Sequence, residues 1–139
     1  AHKLTGTEVH ALGQPLTGAI FDIGVELFED RLVEFGLIPR AVAEKTRTTV
    51  ADGRIADADS TATTGAYHED PAAFAEALCD ARDMLGLRIA DTWRRLDPER
   101  LSFARVAQAF AAADRSVSGS EHRTMVAEAF RWRGLAAHA

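Results

Sequence analysis

The stretch Pro15-Leu16-Thr17-Gly18-Ala19-Ile20-Phe21-Asp22-Ile23-Gly24-Val25-Glu26-Leu27-Phe28-Glu29-Asp30-Arg31-Leu32-Val33-Glu34-Phe35-Gly36 decides the fold class. Leu16, Ile20, Ile23, Leu27, Phe28, Leu32 and Phe35 recur in steps of three or four, which places them along one stripe of a 3.6-residue helix. Pro15 suits the first helical turn, where a missing N–H costs nothing. Gly36 suits the left-handed residue just past the end. Gly18 and Gly24 each cost roughly 1 kcal/mol relative to alanine inside a helix, so they are expected to admit a close neighbour. Asp22 stands beside the apolar stripe, and a carboxylate there is expected to pair with an arginine or cap a neighbouring helix.

Outward from this helix the same arithmetic finds three more long segments. A short turn of helix follows Pro39 through Ala41–Glu44. Asp70-Pro71 opens a second long helix with a cap and a first-turn proline, and Phe74, Leu78, Ala81, Leu85, Ile89, Trp93 and Leu96 carry its stripe to about Asp97. Asp97-Pro98 repeats the start signal for a third, with Phe103, Val106, Phe110 and Ala113 inward. Ser118-Gly119-Ser120-Glu121 reads as a capping box for the last helix, with Met125, Val126, Ala129 and Phe130 inward and Gly134 as its stop. From Thr46 to Glu69 no sustained apolar face is visible, and this segment is expected to be a long loop or partly ordered insertion. No strand alternation is present. The expectation is one all-α domain over residues 1–139, a bundle of four to five helices cut from a longer chain.

Composition narrows the function. With 139 residues and 47% hydrophobic content the chain has the proportions of one globular domain with a real core. Sixteen basic against 21 acidic side chains give a net charge of -5, which disfavours a nucleic-acid partner. No apolar run approaches the ~20 residues that span a bilayer, so no membrane partner is expected. The first seven residues lack the basic and apolar regions of a signal peptide, and the compartment is left open. The lone cysteine, Cys79, sits in an apolar helical pattern and is expected to be a small core residue. His2, His10, His68, His122 and His138 never stand three or four apart as helix-borne metal ligands do, and no H-E-x-x-H or C-x-x-C occurs. His68-Glu69-Asp70 reads as a solvated loop. Asp114 and Arg105 are candidates for a buried polar network. His10 lies just upstream of the first stripe, where a helix mouth favours negative charge and an imidazole can donate to an oxyanion.

Two regions resemble a family. Val9-His10-Ala11-Leu12-Gly13-Gln14-Pro15-Leu16-Thr17-Gly18-Ala19-Ile20-Phe21-Asp22-Ile23 is similar to the stretch of thermolysin-like and fungalysin-like zinc metallopeptidases in which a histidine precedes a helix rich in small residues. Leu101–Val106, Ala111–Asp114 and Ala129–Leu135 resemble that family's closing pattern: a phenylalanine and arginine opening a helix, an Ala-Asp near its end, and a Phe-x-x-x-Gly finish. Together these segments cover less than half of the chain, in the family's order. The resemblance implies the C-terminal helical half of such a peptidase, with His10 steadying the tetrahedral intermediate and zinc held upstream by ligands this chain lacks. It further implies that this chain binds no cofactor and is inactive alone, that its partners are the upstream catalytic half and a peptide substrate, and that Phe103, Arg105, Asp114 and Phe130 are structural. The family usually places an aspartate shortly before the histidine to orient its ring; here Thr5 and Glu8 stand there. Members are often secreted. If the catalytic half is missing, an apolar patch near the start of the first long helix is exposed and can drive self-association. The rival expectation is a non-catalytic helical protein-interaction module.

Overall fold

The computed structural model describes residues 6–44 and 57–135, with side chains from 13–44 and 61–135. Among the described residues the chain is all helical, with no strand. The elements are α1 (Gly6–Glu34), α2 (residues 40–44), α3 (Asp57–Glu69), α4 (Pro71–Arg95), a single 3-10 turn (Pro98–Arg100), α5 (Phe103–Ser118) and α6 (Arg123–Trp132). That is six α-helical segments where four to five were expected.

Glycine ends two of the helices for the reason the sequence suggested. At the end of α1, Gly36 has φ +71°, its N–H donates to Val33 O, and the Leu37 N–H donates to Leu32 O. At the end of α6, Gly134 has φ +70°, its N–H donates to Arg131 O, and the Leu135 N–H donates to Phe130 O. Both are Schellman closures, in which a left-handed residue lets the chain satisfy the last carbonyls and fold an apolar side chain back onto the helix. Starts follow the same logic. Asp70 Oδ1 accepts from the Ala73 N–H at the start of α4 and Ser102 Oγ from Arg105 at the start of α5; Asp97 Oδ1 accepts from Glu99 but caps only the 3-10 turn, so the third long helix starts at Phe103 and not at the expected Asp97-Pro98.

Several expectations need correction. First, α1 starts at Gly6 rather than at Pro15, which lies inside it. The helix continues on the N-terminal side of Pro15 although the proline removes one backbone hydrogen bond, at a cost of about 3 kcal/mol. Second, residues 57–69, expected to be loop, form α3. Its inner face is alanine, with Ala62 half-buried and Ala66 buried, and alanine gives almost no amphipathic signal. Residues 46–56 of the expected loop lie outside the described part. Third, the Ser118 capping box is absent. Ser118 ends α5, its hydroxyl donates to Asp114 O and Asp114 Oδ1, and α6 starts after His122 without a side-chain cap. Fourth, the buried stripe of α4 is Ala77, Ala81, Arg88 and Thr92, whereas Leu78 and Trp93 are exposed. Cys79, expected to be a small core residue, is exposed as well.

The described helices divide into two compact units. Unit 2, Gly24–Met84, buries Leu32, Ile38, Ala43, Ala66 and Ala77, with Phe28, Val33, Leu37 and Phe74 packed against them. Phe74 meets Phe28 edge-on at 5.1 Å and Tyr67 at 5.4 Å between ring centroids. Unit 1 comprises Ala1–Ile23 and Leu85–Ala139. It buries Ala19, Ile23, Val106, Phe110, Ala113, Val126 and Phe130, with Phe110 and Phe130 joining α5 to α6 edge-on at 5.5 Å.

Candidate functional site

Unit 1 joins the first part of α1 to the C-terminal helices, and three features describe it. The first is a groove of about 240 Å³ lined by Leu16, Thr17 and Ile20 of α1, Ile89, Thr92 and Trp93 of α4, and Val106 and Phe110 of α5. Its two threonines add little polarity, because Thr17 Oγ1 donates to Gly13 O and Thr92 Oγ1 to Arg88 O on their own helices. An apolar concavity with a half-exposed indole beside it suits an apolar group of a ligand. Its α1 residues lie in the N-terminal half of that helix.

The second is a buried ionic cluster. Arg88 is fully buried, and its Nε donates to Asp114 Oδ1 at 2.9 Å; Asp114 is 1% exposed. Ser118 Oγ donates to the same oxygen at 3.0 Å, and Arg88 Nη2 lies 3.1 Å from Nδ1 of the buried His122. A guanidinium only donates, so Nδ1 is the acceptor and the ring proton of a neutral His122 sits on Nε2. Asp114 Oδ2 is buried without a hydrogen-bond partner. Such a cluster adds little net stability, because desolvating the ions offsets most of their attraction, but removing one partner leaves a buried charge uncompensated. Asp114 was expected in a buried network and is there. Arg105 is exposed, contributing its backbone N–H to the Ser102 cap, and Phe103 is exposed too. Phe130 is buried. Arg88 and His122 were missed, although a charged residue standing in the alanine stripe of α4 was the available signal.

The third feature ties the beginning of the unit to its end. Arg133 Nε and Nη2 each donate to Asp22 at 3.0 Å, a fork across 111 residues of sequence. Asp22 is thereby paired with an arginine, as expected. The guanidinium lies across Gly18, where an added Cβ would come within 2.7 Å of Arg133 Nη1. The close neighbour that Gly18 admits is thus a side chain one helical turn from the carboxylate it binds. On the outer surface, Arg95 and Ser116 both donate to Asp91, and these two hydrogen bonds, Arg95 first, hold its carboxyl below the usual carboxylate value.

His10 lies in the second turn of α1, seven residues and two turns before Thr17. The helix leaves N–H groups unpaired only in its first turn, so the helix-mouth basis for an oxyanion role does not apply at this position. His68 is exposed at the C-terminal end of α3 and stacks edge-on with Tyr67. Among the described residues no three of His, Cys, Asp and Glu group closely enough to hold a metal ion, so they do not fit a zinc centre. No described helix is long and apolar enough to cross a membrane. The chain matches no family model, and neither curated proteins nor solved structures show a significant similarity to it.

Proposed function

We propose that this chain is the C-terminal helical half of a zinc metalloendopeptidase, that its unit 1 forms one wall of the substrate cleft, and that His10 donates a hydrogen bond to the oxyanion formed at the scissile carbonyl. One observation carries the reading. The histidine-bearing segment 9–23 and the closing segments 101–106, 111–114 and 129–135 lie far apart in sequence, yet fall in one compact unit and are pinned together by Asp22 and Arg133. None of these segments falls in the other unit. In this reading the groove accepts an apolar side chain of the bound peptide, and the α1 backbone sets the distance from that groove to His10. The metal belongs to polypeptide outside the described residues.

The groove itself favours a second reading, a non-catalytic helical interaction module that retains the half-domain and has no chemistry. The two readings separate in one experiment. The purified chain is assayed for peptide hydrolysis with zinc added, alone and as part of its longer natural polypeptide. The peptidase reading expects hydrolysis only from the longer polypeptide. Activity of the isolated chain above trace contamination contradicts the assigned division of labour, and a longer polypeptide without H-E-x-x-H favours the module.

A further inference from the structure

We draw no further inference here: the strongest candidate, the apolar groove of unit 1 between α1, α4 and α5 with Trp93 exposed at its side, belongs to the site already described, and nothing in the structure shows what else would cover it.

Discussion

The two compact units solve the same problem with different chemistry. Unit 2 packs alanine against Leu32 and Ile38 and orders itself with edge-on contacts among Phe28, Phe74 and Tyr67. Unit 1 also has an aromatic pair, but it sets a fully buried arginine, an aspartate and a histidine into its interior and forks Arg133 onto Asp22. Apolar packing tolerates substitution of similar volume, whereas directional polar contacts accept one arrangement and penalise the loss of a partner. The difference assigns geometric precision to unit 1, the unit that contains the groove.

The sharpest break in that contrast is expected at the buried cluster. Replacing Asp114 with alanine leaves the Arg88 guanidinium uncompensated, and the expected loss is about 3–5 kcal/mol in chemical denaturation. Replacing both residues, Arg88→Met with Asp114→Leu, should recover most of it. A single-variant loss below about 1 kcal/mol would mean that the cluster is solvated and that unit 1 is not held as described. In unit 2, Phe74→Leu keeps most of the apolar volume and removes the ring contacts, so a loss of only about 1 kcal/mol is expected. A loss as large as that of Asp114→Ala would erase the contrast.

A subtler test lies at Gly18. Alanine there gains about 1 kcal/mol of helix propensity but displaces the half-exposed Arg133 guanidinium, whose pair with Asp22 is worth up to about 1 kcal/mol. Gly18→Ala should therefore be nearly neutral by itself and stabilising by about 1 kcal/mol in an Arg133→Ala background. Equal effects in both backgrounds would show that Arg133 does not rest on Gly18.

The smallest effect concerns acid. The Asp91 carboxyl is lowered in the folded chain, so its contribution is present above the unfolded carboxylate range and fades as pH falls through the folded value. Urea midpoints of wild type and Asp91→Asn should then converge as the pH drops below about 4. Midpoints that separate further on acidification would reverse the sign.

Much of this fold was readable in the sequence, and the exceptions share a cause. Long aliphatic steps located the body of α1, and Pro71, Gly36 and Gly134 marked boundaries because each needs a special backbone position. Alanine hid α3 and shifted the apparent stripe of α4, since a methyl group packs closely while contributing little to periodicity. The start of α1 was misplaced because a proline that fits a first turn was also tolerated nine residues into a helix. Asp22 was legible as a paired carboxylate, but Arg133 was not identifiable as its partner: local patterns carry no information across 111 residues. Arg88 stood out in the alanine stripe of α4, but its partners Asp114 and His122, 26 and 34 residues away, could not be named from local pattern for the same reason.

Kinetics and zinc content of His10→Ala, made in the longer polypeptide proposed to carry the catalytic half, test the proposed role most directly. Removing one oxyanion donor should lower kcat about 100-fold while bound zinc stays unchanged. An unaltered kcat, or a matching loss of metal, would contradict it.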